Sequence, residues 1–134
     1  MKVVVDTNVL ISGIFFDGPP AQILKAWYQG ELQFVVSHEI LEEYFEVCER
    51  LSFRYPTVDI TQILILIVQN CHIVDPLPLP ESVSSDEDDD KFIACALASD
   101  TKTIISGDRD LLALSGYESI QILTPREFAD RHIR

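Results

Sequence analysis

Short apolar runs alternate along this chain with longer segments of helical periodicity. The runs are apolar at successive positions rather than at every second one, which is typical of strands buried on both faces of a parallel sheet. They predict five strands, at residues 3–5, 33–36, 71–74, 103–105 and 120–123. The alternation predicts an α/β fold with three layers (α/β/α) around a central, mainly parallel sheet of about five strands.

The segments between and after the strands carry the periodicity and the start signals of helices. Ser37 is placed to cap the third helix, and Thr124 the last, where a proline and a glutamate follow in the positions of a capping box. Three prolines within residues 75–85 predict a surface loop there, leading into an acidic run. The predicted helices span residues 7–15, 20–29, 37–53, 57–70, 88–99, 109–114 and 125–132.

The length and the apolar content are those of one compact unit. With 134 residues and 47% hydrophobic residues, the chain can fill one core, so we expect a single domain over residues 1–134. The longest apolar run, residues 63–68, is too short to cross a bilayer, and Met1 is not followed by the apolar stretch of a signal peptide. We therefore expect a cytoplasmic protein without membrane contact.

Cysteine and histidine do not suggest a site of their own. The cysteines are odd in number and widely spaced, which favours buried thiols over a disulfide framework or a thiolate zinc site. The histidines show no mutual spacing of metal ligands. The residues concerned are Cys48, Cys71, Cys95, His38, His72 and His132.

The formal net charge of −12 affects the choice of function in two opposite ways. It argues against a protein that holds nucleic acid on a basic surface, because affinity for the backbone normally comes from Lys and Arg at phosphates. An acidic chain is nevertheless suited to concentrating divalent cations, and a bound cation inverts the charge that a phosphate meets. Charge alone leaves both interpretations open.

Two aspartates are predicted to meet at one edge of the sheet. Asp6 closes the first strand, and Asp108 comes shortly after the fourth. Parallel strands joined by right-handed crossovers all end at a common edge, where open α/β sheets place their ligands. We therefore expect the two carboxylates to lie close together.

Two further acids lie near the start of predicted helices, which begin at the same edge. On a helical wheel Glu43 lies at the border of the buried arc, whereas Glu39, Glu42 and Glu46 point away. Asp90 lies in the first turn of the fifth helix.

The position of Asp90 on its helix also points inward. The following turn carries Ile93, Ala94 and Leu97 on the same helical face, so the carboxylate is expected at the interior edge. Asp90 thereby joins Asp6, Glu43 and Asp108 as the fourth member of the predicted group.

Four carboxylates in one place imply a cation. They would raise one another's pKa values unless a positive charge neutralised them. Mg²⁺ suits such oxygen ligands, keeps several waters and completes its shell with substrate phosphate oxygens, and Mn²⁺ accepts the same ligands. The implied chemistry is hydrolysis of a phosphodiester by a metal-activated water.

Three motifs carry a resemblance to a known family. They are VVVDTNVL at residues 3–10, DDKFIA at residues 89–94 and SGDRDLL at residues 106–112, with Glu43 six residues beyond Ser37. Their order and spacing resemble the PIN-domain family over nearly the whole chain. The chain is most similar to small single-domain PIN proteins, many of which are toxins of toxin–antitoxin pairs.

The resemblance implies a Rossmann-like fold and an RNA-cleaving endonuclease that depends on Mg²⁺ or Mn²⁺. Such proteins are often homodimers and often held inactive by an antitoxin. Carried over to this sequence, the acidic cluster is Asp6, Glu43, Asp90 and Asp108, with Asn8, Ser106 and Asp110 as auxiliary residues. The acidic run at residues 86–90 leaves the choice between Asp89 and Asp90 open.

Other interpretations stay open at this point. Asp6 and Asp108 could simply cap helices, and Glu43 could be one more exposed acid. A phosphohydrolase of the HAD-like type would use Asp6 as a nucleophile, although Asn8 stands where a second aspartate would be expected. A non-catalytic module with the same fold would bind only a protein partner.

Overall fold

Five parallel strands form the centre of the computed structural model, which describes residues 1–133. The strands are β1 Lys2–Val5, β2 Gln33–Ser37, β3 His72–Val74, β4 Thr103–Ile105 and β5 Gln121–Leu123. They pair in the order β3-β2-β1-β4-β5, and every pairing is parallel. The predicted α/β class with a central parallel sheet is confirmed.

Helices cover the sheet and complete the three layers. They are α1 Thr7–Phe15, α2 Pro19–Tyr28, α3 His38–Ser52, α4 Ile60–Gln69, α5 Asp90–Ala98, α6 Arg109–Leu112 and α7 Pro125–His132, with short 3₁₀ helices at Glu87–Asp89 and Tyr117–Ser119. The Ser37 side chain caps α3 by accepting from the Ile40 amide, and Thr124 forms a complete capping box with Glu127. Both predicted caps are confirmed.

Several strands and helices differ from the predicted bounds by one or two residues, and α4 differs by three at its start. β3 begins at His72 rather than Cys71, and its His72 and Ile73 are exposed. The helix predicted from residue 57 begins at Ile60, since the Asp59 carboxylate accepts from the Gln62 amide and so fixes the first turn.

The apolar run at residues 63–68 lies in α4. Ile67 and Leu64 are buried against the core, whereas Ile65 and Leu66 are partly exposed. Among residues 1–133, none of the helices combines the length and the apolar character needed to span a membrane.

The order of the strands contains a topological switch point. From β1 the chain runs outward through β2 to β3, then returns to place β4 on the other side of β1 and continues to β5. The Asp6 amide donates to the Ile105 carbonyl at 2.9 Å, which joins the ends of β1 and β4. Ligands of open parallel sheets bind outside the strand ends at such a point.

A close backbone approach joins α1 to α2. A Cβ atom added to Gly13 in α1 would lie 2.7 Å from the Pro20 carbonyl oxygen in α2. Real Cβ atoms do not come this close to a backbone atom, so only glycine allows the two helices to pack as they do.

We predict that Gly13→Ala destabilises the protein by roughly 1–3 kcal/mol, because the two helices must move apart. Urea unfolding in EDTA measures the change. Gly107→Ala is the control, because its added Cβ would meet no atom within 4 Å, and its stability should stay within about 0.5 kcal/mol of wild type. Equal losses in the two variants would contradict the packing argument.

Candidate metal centre

Ser106 links the two aspartates at the switch point. The Ser106 hydroxyl donates to Asp6 Oδ2 at 2.7 Å and accepts from the Asp108 amide at 2.9 Å. Ser106 is completely buried, and Asp6 is only 5% exposed. The end of β1 and the loop after β4 are thus held together by one side chain, and Asp6 and Asp108 lie near each other as predicted.

Three carboxylates form the tightest part of the cluster. Asp89, Asp108 and Asp110 each offer an oxygen that lies within 4.8 Å of those of the other two. Asp108 Oδ1 also accepts from the Asp110 amide at 2.8 Å, which caps α6. Capping therefore occupies only one oxygen of Asp108, so the capping role does not prevent the residue from also binding a ligand.

The structure differs from the expected site at Asp90. Its Oδ2 accepts from the Ser82 hydroxyl at 2.7 Å, and its Oδ1 accepts from the amides of Val83 at 3.2 Å and Ser84 at 2.8 Å. The carboxylate of Asp90 thus fastens the loop before α5 to the first turn of that helix. Asp89 faces Asp6 and Asp108 in its place.

Asp89 takes the place expected of Asp90 because the inward face of α5 lies one residue, about 100° around the helix axis, from the face that contains Asp90. Three, four and seven residues beyond Asp89 stand Phe92, Ile93 and Ala96, all buried in the core. The face that contains Asp90 ends instead in Leu97, which is 38% exposed. The inward row of α5 is therefore that of Asp89.

Glu43 adjoins the aspartates but is engaged by other residues. Its Oε2 accepts from the Thr7 hydroxyl, and its Oε1 forms an ion pair with Lys91 Nζ at 2.8 Å. It is half-buried, whereas Glu39, Glu42 and Glu46 are exposed, as the helical wheel predicted.

Lys91 belongs to the site although the sequence analysis did not select it. Its side chain is only 9% exposed, and Nζ also donates to the Asp88 carbonyl at 2.7 Å. A lysine directly after an acidic run is ordinarily read as a solvated surface residue. The burial that distinguishes it arises from α3 and α5 packing together, which the local sequence does not reveal.

Tyr44 of α3 contacts the end of β1 next to the site. Its hydroxyl donates to the Val5 carbonyl, immediately before Asp6. Burial and the nearby Asp6 carboxylate raise the pKa of Tyr44 well above its usual value, so the phenol stays neutral. It anchors α3 to the end of β1 beneath the carboxylates.

Burial and mutual repulsion raise the pKa values of the central acids. For Asp6, burial raises the pKa against the lowering effect of the Ser106 hydrogen bond, and Asp108 and Glu43 raise it further. For Asp89, burial and then the charges of Asp108 and Asp6 raise the pKa from 3.8 to about 7. Within the described residues 1–133, the buried Oδ2 of Asp89 has no hydrogen-bond partner.

These features fit a divalent cation with a preference for oxygen ligands. Several carboxylate oxygens converge, one of them is buried without a partner, and a positive charge among them would reverse the rise in pKa. Such a donor set, made of oxygen alone, is the kind that hard metal ions prefer.

The other residue types singled out in the sequence lie outside this group. The three histidines are exposed, and so is Asn8, in the first turn of α1. Burial raises the pKa of Cys48 to about 11 and that of Cys95 to about 12, so both thiols stay protonated and act as core residues.

Comparison with known proteins agrees with the motifs. Residues 2–110 match the protein family described as "PIN domain". The chain is also similar to the uncharacterized protein MJ1680 of Methanocaldococcus jannaschii, with 30% identity over 97% of this chain and 90% of that relative.

We predict that Asp89→Asn stabilises the metal-free protein at pH 8. The pKa of Asp89 is raised on folding, so its contribution to stability is fully present below about pH 4 and is lost as pH rises through about 7. Asparagine removes this loss, and in EDTA the free energy of unfolding should rise by roughly 1–3 kcal/mol at pH 8 and change little at pH 4.

Asp90→Asn is the matched neighbour for this experiment. Its carboxylate accepts three hydrogen bonds, so its replacement should lower stability at pH 8 rather than raise it. Urea unfolding between pH 4 and pH 8 measures both variants. The same direction of change at the two positions would contradict the different roles of these neighbours.

Proposed function

Since this chain belongs to the PIN-domain family, a family with a nuclease fold, we propose that it is a metal-dependent endoribonuclease that hydrolyses phosphodiester bonds in RNA. The single observation that carries the proposal is the convergence of carboxylates, those of Asp6 and Asp89 being buried, at the switch point between β1 and β4. Asp6, Asp89 and Asp108 are the proposed metal ligands, with Asp110 auxiliary and Glu43 adjoining them.

The chain's own residues prepare this site for Mg²⁺ or Mn²⁺. Ser106 orients one oxygen of Asp6, the Asp110 amide orients one oxygen of Asp108, and Asp89 keeps an oxygen without a partner in the described residues. When bound, a divalent ion supplies a Lewis acid that polarises a phosphoryl oxygen and lowers the pKa of coordinated water.

Two arginines are suited to holding the RNA backbone. Arg109 begins α6 and Arg126 lies in the first turn of α7, so both follow strands that end at the edge of the carboxylates. Both are exposed. We infer that they contact phosphates on the β4–β5 side of the site, which offsets locally the acidity of the whole chain.

We further infer that this protein is a toxin that pairs with an antitoxin and forms a homodimer. The family resemblance is the basis of that inference, and exposed apolar side chains on two helices support it. They include Tyr28 of α2, which is 73% exposed, and Ile65 and Leu66 of α4. An apolar surface of this kind is typical of protein contacts.

The contacts of Asp6 favour this function over nucleophilic catalysis. Its carboxylate is almost fully buried, and one oxygen is held by Ser106. A nucleophile of a HAD-like phosphohydrolase needs a carboxylate oxygen open to in-line attack. A purely protein-binding role leaves unexplained why the two buried acids Asp6 and Asp89 are kept together at energetic cost.

We predict that Asp6→Asn lowers RNA cleavage at least roughly a hundredfold and reduces the rise in melting temperature that Mn²⁺ produces, because one ligand charge is lost. Asp88→Asn is the control, since that residue is exposed and, within residues 1–133, its hydrogen bonds are made by its backbone atoms. Cleavage of a labelled RNA and thermal unfolding measure both. Full activity in Asp6→Asn would refute the proposed centre, and growth arrest caused only by the active form would support the toxin role.

We predict that Arg109→Ala and Arg126→Ala each raise KM for RNA, by roughly tenfold at low salt, with little change in kcat. Each should also reduce the slope of log KM against log salt by about 1. Lys102→Ala is the control, because Lys102 precedes β4 and lies at the opposite edge of the sheet. A loss of affinity in Lys102→Ala as large as in the arginine variants would contradict the proposed RNA surface.

A further inference from the structure

The acids at the proposed metal centre differ in whether other side chains already engage their oxygens. Asp89, Asp108 and Asp110 present converging oxygens, and Oδ2 of Asp89 has no partner within residues 1–133. Both oxygens of Glu43 are engaged, because the Thr7 hydroxyl donates to one and the Lys91 ammonium pairs with the other. Glu43 nevertheless lies beside the aspartates, since it is close enough to raise the pKa of Asp6.

Lys91 occupies a position that resembles a cation site. Its Nζ lies 2.8 Å from Glu43 Oε1 and 2.7 Å from the Asp88 carbonyl oxygen, a carboxylate and a backbone carbonyl being ligands that hard metal ions accept. The side chain is 9% exposed, so its charge is poorly screened by water. A lysine ammonium is a compact point charge, unlike the planar guanidinium of arginine.

We propose that the Lys91 ammonium takes the place of a second divalent cation at Glu43, so that the centre binds a single divalent ion, on the side of the aspartates. The proposal rests on the proposed function and deepens it. Lys91 is thus a positioning residue that sets how many ions the centre holds and keeps Glu43 out of the first ion's shell.

The first arm of the test counts Mn²⁺ ions on the folded protein without RNA. Calorimetric titration, together with the electron paramagnetic resonance signal of free Mn²⁺, gives the number bound. Wild type should bind one ion, Lys91→Met should bind two, and Lys91→Met/Glu43→Gln should return to one. Lys102→Met is the matched control, since Lys102 is exposed and pairs with the exposed Asp100, and this variant should bind one ion.

Two results would overturn the proposal. Two ions on the wild-type protein would mean that Lys91 does not substitute for a cation, and one ion on folded Lys91→Met would mean that its absence opens no second site. Absence of Mn²⁺ binding in every variant would instead refute the metal centre itself, and with it the proposed function.

Lys91→Met leaves Glu43 with a partly buried, unpaired charge, and the variant could therefore be unfolded in metal-free buffer. It is then titrated with Mn²⁺ while circular dichroism follows folding. Recovery of the fold with two ions per chain supports the proposal, because a divalent ion replaces the missing ammonium. A chain that stays unfolded at saturating Mn²⁺ counts against it.

Discussion

Parallel pairing of β1 with β4 fixes the backbone on which the rest of this molecule depends. The hydrogen bond from the Asp6 amide to the Ile105 carbonyl holds two strand ends side by side, and the carboxylates of Asp6 and Asp108 follow from that contact. Strands on either side of this pair add the core that keeps the edge rigid. The acids are brought together by the sheet in spite of their mutual repulsion.

The protein offsets this repulsion in three different ways. The Ser106 hydroxyl donates to Asp6, backbone amides donate to Asp90 and Asp108, and the ammonium of Lys91 pairs with Glu43. Oδ2 of Asp89 has no hydrogen-bond partner within the described chain, and burial together with the charges of Asp108 and Asp6 raises the pKa of Asp89 to about 7. The carboxylates at the border of the cluster thus have partners that offset their charge, whereas, within residues 1–133, Asp89 at its centre does not. A cation is expected to bind there.

Local sequence patterns were sufficient for the sheet and for part of the site. An apolar run such as Val3 to Val5 indicates a strand that is buried on both faces. A residue that follows a parallel strand lies at the edge of the sheet where the carboxyl ends of the strands meet. This is why Asp6 and Asp108 could be placed together. The caps at Ser37 and Thr124 were equally accessible, because their hydrogen bonds span only three residues.

Features that depend on packing between elements distant in sequence could not be predicted from local sequence patterns. The choice between Asp89 and Asp90 depends on the rotation of α5, and a short 3₁₀ turn before that helix moves its register. Lys91 is buried only because α3 lies against α5. The exposure of Ile73 in β3 depends on what packs against that strand, which the composition of the strand does not contain.

The link from Ser106 to Asp6 spans 100 residues of sequence, and this separation governs when the centre comes into being. Contacts between such distant residues form late, since a long loop must close before they contribute any stability. While the ribosome is still adding β4, the emerging polypeptide holds Asp6 and Glu43 but has no Ser106 or Asp108 to complete the cluster. We therefore expect a growing chain to bind an ion at this cluster only after β4 and the loop that follows it have been made.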